Sequence, residues 1–156
     1  MVGCRWFVWS LPLIILASAI GCGPPPMQSV QGVVTLDGKP VDMCKVGFFP
    51  DTEVFDSNRH GFGFGVTDAE GKYTMQHPQG DEGIWAGKYK VTLVAWVDSS
   101  GKPLGIDTKP SEVPGGVKNR FAEEYESPGT TPERAIVTKD NSKNVFNFDI
   151  TSTKSK

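Results

Sequence analysis

The dipeptide Asp37-Gly38 constrains the fold most, because it lies between two runs in which every second side chain is apolar. Asp-Gly pairs readily adopt the positive φ angles of a two-residue hairpin turn. Residues 30–50 therefore predict two strands that form a hairpin, on which the later strands pack. The side chains predicted to share its buried face alternate with a period of two; they are Val30, Val34 and Leu36 before the turn, and Cys44, Val46 and Phe48 after it.

The composition favours an all-β fold. The chain of 156 residues contains 18 glycines and 12 prolines, which indicates many turns and few long helices. Its length suits one domain of ordinary size. With 16 basic and 18 acidic residues, and a net charge of −2, the chain lacks the basic surface by which proteins bind nucleic acid. We therefore expect no nucleic-acid partner.

The first 21 residues have the pattern of an export signal. Arg5 precedes an apolar run over 6–20, and this run is shorter than the roughly 20 residues of a membrane-spanning helix. Two cleavage sites compete: ASA at 17–19 fits ordinary signal peptidase, and AIGC at 19–22 resembles the lipobox of bacterial lipoproteins. The lipobox predicts a signal peptide over 1–21 and a diacylated Cys22. Ordinary secretion and an uncleaved anchor are the alternatives.

The residues that follow Cys22 favour lipidation. Three consecutive prolines at 24–26 make 22–29 a stiff tether that would hold a domain off a membrane. The protein is then expected to be exported and anchored to a membrane through the lipid on Cys22. Gly23 stands where an Asp retains many lipoproteins at the inner membrane. The outer membrane is therefore favoured, with the domain in the periplasm or at the cell surface.

Residues 30–150 have the strand and turn signals of one β-sandwich. In 61–67, glycines alternate with apolar residues, which predicts that the apolar side chains face the core and the glycines face outward. The strand over 87–97 is the longest signal, and the last two strands are predicted at 135–138 and 144–150. An irregular connection covers 98–134, and 151–156 is a polar tail. The predicted inward side chains are Phe62, Phe64, Val66, Tyr73, Met75, Tyr89, Val91, Leu93, Ala95, Phe146, Phe148 and Ile150, whereas Lys88, Lys90 and Thr92 are predicted to face solvent.

Several of these segments resemble a known family. VQGVV at 30–34 with DGKPV at 37–41 is similar to the opening of the carboxypeptidase regulatory-like domain, which has a transthyretin-like fold. TDAEGKY at 67–73, GKYKV at 87–91 and the strand over 144–150 resemble its later parts. The layout is similar to small bacterial lipoproteins with one such domain behind a lipobox. The resemblance implies a β-sandwich of about seven mostly antiparallel strands with no activity of its own.

The residues do not indicate an enzyme or a metal cofactor. The chain ends STKSK and lacks the terminal Tyr-Arg-Gly-Ser motif of the transthyretin-related hydroxyisourate hydrolases. Asp68 and Glu70 are too few for calcium, which takes about six to eight oxygens, and they fit a turn closed by Gly71. Intradiol dioxygenases bind iron through two tyrosines and two histidines, but the spacing differs here. The side chains of those types are Tyr73, Tyr89, Tyr125, His60 and His77.

The leading functional hypothesis is a monomeric, non-catalytic module of the bacterial envelope with a structural or protein-binding role. A second hypothesis is a carbohydrate or cell-wall binding module, with Trp85, Trp96 and Phe49 as stacking surfaces. Residues 98–119 form a connection longer than the roughly 2–6 residues that usually join strands, so they are expected to supply partner contacts or to cover Trp96. Cys44 is predicted to be buried and slow to react with thiol reagents.

Overall fold

A computed structural model describes residues 25–57 and 60–152. The described part contains ten strands and three single-turn 3-10 helices, at Pro110–Glu112, Glu123–Glu126 and Asn141–Lys143. None of these described helices has the length or apolar character to cross a membrane. The strands are β1 Gln31–Leu36, β2 Lys39–Pro40, β3 Lys45–Pro50, β4 Gly63–Val66, β5 Lys72–Thr74, β6 Gly87–Val94, β7 Trp96–Val97, β8 Lys118–Asn119, β9 Arg134–Val137 and β10 Phe148–Ile150.

The strands form two four-stranded sheets and a short ribbon. In the first sheet, β1 pairs with β10 on one side and with β2 and β5 on the other; the second sheet has the order β4-β3-β6-β9. The ribbon pairs β7 with β8. All of these pairings are antiparallel except that of β1 with β10. Seven of the described strands have three or more residues, which confirms the predicted all-β sandwich of mostly antiparallel strands.

Apolar side chains from both sheets form one core. The predicted inward positions of β1, β3 and β6 are buried, including Val34, Val46 and Leu93, except that Leu36 at the end of β1 is only partly buried. Cys44 is fully buried beside them, as predicted. The prediction for Thr92 was wrong: its side chain was predicted to face solvent, but the residue is only 5% exposed. It lies on the outer face of β6 opposite Gly47, and the ring of Phe49 lies over that glycine and covers the site.

The opening hairpin is present but much shorter than predicted. Asp37 and Gly38 have φ angles of 52° and 74°, and the turn pairs β1 with β2 over two residues only. Met43 then takes a φ of 55°, and the chain crosses to the other sheet, where β3 pairs with β4 and β6. Residues 30–50 therefore supply one long strand to each sheet. The alternation of apolar side chains is the same in both arrangements, so it could not distinguish them.

The glycine-alternating strand β4 has the opposite orientation to the prediction. Gly63 and Gly65 are buried, whereas Phe62 is half-exposed. A Cβ atom on Gly63 would collide with Ile84, and one on Gly65 would lie 2.7 Å from the carbonyl oxygen of Thr74. The glycines face inward because β4 packs directly against the chain that leaves β5. A period of two shows which residues share a face and leaves open which face is buried.

The direction of the strands gives the sandwich two ends, and we name each after a residue that lies there. β1, β4, β6 and β10 run from the Trp85 end to the Asn119 end, and β3, β5 and β9 run back. The Trp85 end comprises residues 25–30, 50–57, 60–62, 75–87 and 137–145. The Asn119 end comprises residues 36–44, 66–72, 94–121 and 150–152.

Candidate functional site

The predicted lipid-attachment residue, Cys22, lies outside the described residues. The chain described from Pro25 onward is held to the Trp85 end. Gln28 is buried and exchanges two backbone hydrogen bonds with Ile84, of 2.7 and 3.0 Å. The backbone N–H of Ser29 donates to the side-chain oxygen of Asn141 at 3.1 Å. The part of the predicted tether from Pro25 to Ser29 therefore lies against the sandwich.

Trp85 connects this N-terminal segment to the second sheet. Its indole N–H donates to the carbonyl oxygen of Pro25 at 2.9 Å. Its ring lies 5.5 Å from that of His77 and also borders Gly61, where an added Cβ would lie 3.2 Å from the indole. The side chain is half-buried. The hydrogen bond from Trp85 thus fixes the position at which the N-terminal segment enters the domain.

The three aromatic residues proposed for carbohydrate binding do not form one surface. Trp85 lies before β6 and Trp96 lies beyond it, at opposite ends of the sandwich. Phe49 lies on the outer face of β3, where its ring stacks on Phe62 at 6.1 Å with an interplanar angle of 11°. All three proposed side chains are half-buried. A platform composed of Trp85, Trp96 and Phe49 is therefore not present.

The tyrosines and histidines of the dioxygenase comparison have separate structural roles. Tyr73 donates to the carbonyl oxygen of Phe146 at 2.8 Å, and Tyr89 donates to that of Trp85 at 2.7 Å. Burial raises the pKa of both hydroxyls, that of Tyr89 to about 12. The Nδ1 atom of His60 accepts from the backbone N–H of Asp56. Within residues 25–57 and 60–152, no three His, Cys, Asp or Glu side chains are grouped as metal ligands would be.

A groove of the described chain lies on the outer side of β1 and β5. Gln31 and Val33 of β1 stand opposite Thr74 and Lys72 of β5. The chain that leaves β5 pairs with β4 through two backbone hydrogen bonds between Phe64 and Gln76, of 3.0 and 2.8 Å. This pairing curls the surface, and the groove encloses about 690 Å³. Its lining residues are Gln31, Gly32, Val33, Phe64, Gly65, Val66, Asp68, Lys72, Tyr73, Thr74, Gln76, Val145 and Asn147.

The groove combines neutral hydrogen-bonding groups with apolar side chains. Amides come from Gln31, Gln76 and Asn147, and apolar surface comes from Val33 and Phe64, among others. The Lys45 ammonium lies 5.4 Å from the centre of the Phe64 ring, a cation–π geometry that fixes the ring. Such a surface can bind an extended polar chain through hydrogen bonds and stacking.

Two ionisable groups of the groove, Asp68 and Tyr73, are engaged in the fold. The Asp68 carboxylate accepts from the backbone N–H groups of Glu70 and Lys72, at 3.0 and 2.8 Å, and thereby shapes the turn before β5. Burial holds the pKa of the Tyr73 hydroxyl well above its usual value, with the nearby Cys44 thiol as a second cause. These groups stabilise the turn and the core, and neither has the arrangement of a general acid or base.

Cys44 has the surroundings of an inert thiol. It is fully buried beside the core. Burial raises its pKa from 9.0 to about 12, whereas a backbone hydrogen bond from Val94 and the charge of Arg120 lower it less. A thiol that stays protonated is a poor nucleophile. Its reaction with thiol reagents is therefore expected to require unfolding.

The long connection has two structurally different parts. Residues 98–117 form an exposed excursion, closed where β7 pairs with β8. The residues that follow contribute to the core through Phe121, which is 5% exposed. Leu104 donates a backbone hydrogen bond to the carbonyl of Trp96. The excursion is thus hydrogen-bonded to the backbone of Trp96, while most of its side chains face solvent.

The sequence analysis did not identify the groove, although the sequence contains signals for some of its residues. Gln31 and Val33 occupy the alternate positions of a strand whose other side chains are buried, so their outward direction was readable. Val145 and Asn147 were not identifiable, because they join the groove only through the parallel placement of their segment beside β1, in which the side chain of Asn147 accepts the N–H of Val33.

Comparison of the chain with protein-family models, with curated proteins and with solved structures finds no match.

Proposed function

We propose that this protein is a lipid-anchored, non-catalytic β-sandwich module of the bacterial cell envelope that binds another envelope component. The motifs at 30–41, 67–73 and 87–91 support this proposal, because they resemble the carboxypeptidase regulatory-like domain of small bacterial lipoproteins. The proposal also includes export, a diacylated Cys22 and a monomeric domain without a cofactor. The outer membrane is the favoured destination.

One observation carries the proposal: only two residues lie between the lipobox cysteine and Pro25, which is hydrogen-bonded to the folded domain. Cys22 ends the AIGC pattern, and the carbonyl of Pro25 already accepts the indole N–H of Trp85. A lipid on Cys22 would therefore place the sandwich at the membrane surface. A module held there acts by contact with its neighbours, and the groove offers hydrogen-bonding and apolar groups for such a contact.

The anchoring part is tested by detergent partition and by mass spectrometry of the purified protein. A diacylated Cys22 adds the mass of the lipid to the mature N-terminus and sends the protein into the detergent phase. Cys22→Ser should remove the added mass and shift the protein to the aqueous phase. A Cys22→Ser protein that still partitions into detergent would indicate an uncleaved anchor and overturn the lipid assignment.

The binding part is tested by filling the groove. Thr74 is exposed on the outer face of β5, so Thr74→Arg adds a long side chain there without entering the core. Thr151→Arg, at an exposed position of the Asn119 end, is the matched control. After cross-linking in the native envelope, the wild type and Thr151→Arg should recover the same partner, and Thr74→Arg should lose it. Equal recovery by all three would exclude the groove.

A polysaccharide is the second candidate partner, favoured by the chemistry of the groove. Side-chain amides beside a half-exposed ring, as in Gln76 and Phe64, can hydrogen-bond to hydroxyl groups and stack on a sugar ring. Co-sedimentation with purified cell-wall polysaccharide tests it, again with Thr74→Arg and Thr151→Arg. If the wild-type protein sediments with the polysaccharide and Thr74→Arg does not, the result favours a polysaccharide partner. If the wild-type protein does not sediment with it, a protein remains the candidate partner.

A further inference from the structure

Exposed apolar side chains are concentrated towards the Trp85 end. The most exposed are Val54 at 76% and Phe55 at 64%, both in the segment between β3 and β4. Five of the seven large apolar side chains that are exposed in the described chain lie at or beside this end. They are Val54, Phe55, Phe62, Ile136 and Val145, whereas Met43 and Ile106 lie at the Asn119 end. Exposed apolar side chains gathered in one region are typical of a surface that contacts a membrane or another protein.

This surface is continuous with the point where the chain enters the domain. The ring of Phe55 lies 6.0 Å from that of His60, and Gly61 follows directly. Gly61 borders Trp85, whose indole N–H holds the carbonyl of Pro25 at 2.9 Å. Phe55 and the N-terminal segment therefore lie at the same end of the sandwich.

The reach of the chain fixes what lies opposite this surface. Two residues lie between Cys22 and Pro25, so three Cα–Cα steps join them and their Cα atoms are at most about 11 Å apart. A lipid on Cys22 is inserted in the bilayer. We propose that the Trp85 end docks on the membrane surface, with Val54 and Phe55 inserted into the interfacial layer. This inference rests on the proposed lipidation of Cys22.

The chemistry of the surface indicates how it docks. Aromatic and aliphatic side chains enter the headgroup boundary through the apolar area they bury. Glu53 and Asp56 flank the two exposed side chains, and Asp81 and Glu82 lie in the neighbouring loop. These carboxylates repel anionic headgroups. Docking on phosphatidylcholine is therefore driven by apolar insertion and is insensitive to salt. Docking on phosphatidylglycerol is weaker, because the carboxylates of this end outnumber its described lysines, Lys139 and Lys143, and added salt should strengthen it by screening the repulsion.

The test uses the full lipidated protein, reconstituted into phosphatidylcholine vesicles, with an environment-sensitive fluorophore on one introduced cysteine. Phe55→Cys places the probe on the docking surface, and Ile106→Cys is the matched control at the Asn119 end; both are made in a Cys44→Ala background. We expect the probe at position 55 to shift to shorter wavelength and to lose quenching by aqueous iodide. The probe at position 106 should remain quenched as in solution.

A second variant shows whether the apolar side chains cause the docking. Val54→Asp combined with Phe55→Asp should restore iodide quenching to a probe on Phe62→Cys, whereas Ile106→Asp should leave that probe shielded. Because the substituted side chains are exposed, the fold is not at risk, and circular dichroism checks it.

The outcomes separate the two proposals. Lipid mass on Cys22 together with a quenched probe at position 55 overturns the docking and leaves the anchoring intact. Absence of lipid on Cys22 overturns both. Shielding at both 55 and 106 overturns the oriented docking, because the domain would then lie against the membrane on both ends.

Discussion

Residues 98–117 form a long excursion at the Asn119 end, and residues 51–57 and 60–62 belong to another at the Trp85 end. The first is polar at its turns: the Asp98 carboxylate accepts from Ser100 and Lys102, which lowers its pKa. The second presents Val54 and Phe55 to solvent. A loop that satisfies its own backbone needs no partner, whereas exposed apolar side chains are stabilised by an apolar surface.

The two ends are also stabilised by different interactions. At the Asn119 end, the buried amide of Asn119 accepts the N–H of Ala95 at 2.9 Å and donates to the carbonyl of Leu93 at 3.4 Å. At the Trp85 end, the fully buried side chain of Ile84 fills the space above Gly63, and its backbone pairs with Gln28. A polar contact therefore closes one end and an apolar contact closes the other. Substitutions and pH should affect the ends differently.

The largest expected effect is that of alkaline pH through Cys44, at the Asn119 end. Its pKa is raised from 9.0 to about 12 in the folded state. The protonated thiol therefore contributes fully below pH 9, and the contribution is lost as pH rises from 9 to about 12, because only the unfolded chain releases the proton. The loss is on the order of 4 kcal/mol. Urea unfolding at a series of pH values measures it.

Cys44→Ala is the control for this pH dependence. Tyr89, whose pKa is raised from 10.0 to about 12, and Tyr73 add losses of the same sign that begin near pH 10. The variant should therefore lose stability only from about pH 10, while the wild type declines from pH 9. Parallel curves for the two proteins between pH 9 and 10 would contradict the assignment to Cys44.

At the Trp85 end, Ile84→Ala should lower the free energy of unfolding by about 3 kcal/mol, the size typical of a cavity in a packed core. The side chain is fully buried against Gly63, which has no side chain to fill the space. Ile136→Ala, at a position 61% exposed, should change it by less than about 0.5 kcal/mol. Chemical denaturation compares the two, and equal effects would place Ile84 outside the core.

At the Asn119 end, Asn119→Ala should cost about 2 kcal/mol, because the buried N–H of Ala95 loses its acceptor. The same substitution at Asn147 also removes an acceptor of a backbone N–H, that of Val33. Water can replace that acceptor because Asn147 is exposed, so Asn147→Ala should cost less than about 1 kcal/mol. A reversed order in thermal or urea unfolding would show that the Asn119 amide does not hold this end.

The smallest effect is expected from replacing residues 101–116 by a short Gly-Ser linker. The segment is mostly exposed, and the replacement removes one backbone hydrogen bond to Trp96. The free energy of unfolding should fall by about 1 kcal/mol or less. Recovery of the envelope partner should persist if the groove binds it. If the linker variant loses the partner while Thr74→Arg still recovers it, the binding site lies in this connection and not in the groove.

The parts of the fold that depend on local chemistry were predictable from the sequence. The turn at Asp37-Gly38, the buried positions of β1, β3 and β6, and the burial of Cys44 follow from alternation and turn residues. Pairing over long sequence distances was not predictable. The crossing at Met43 and the inward direction of Gly63 and Gly65 depend on what packs against each strand. The groove needed both kinds of information, because Val145 and Asn147 reach it only through pairing with β1.

The parallel pairing of β1 with β10 has a mechanical consequence. β1 begins at the Trp85 end, and β10 finishes at the Asn119 end. A force applied between Pro25 and Ser152, the two ends of the described chain, would pull these neighbouring strands along their length in opposite directions. The three register pairs from Val34–Phe148 to Leu36–Ile150 would then bear the load together in shear, and would not open one after another as in unzipping.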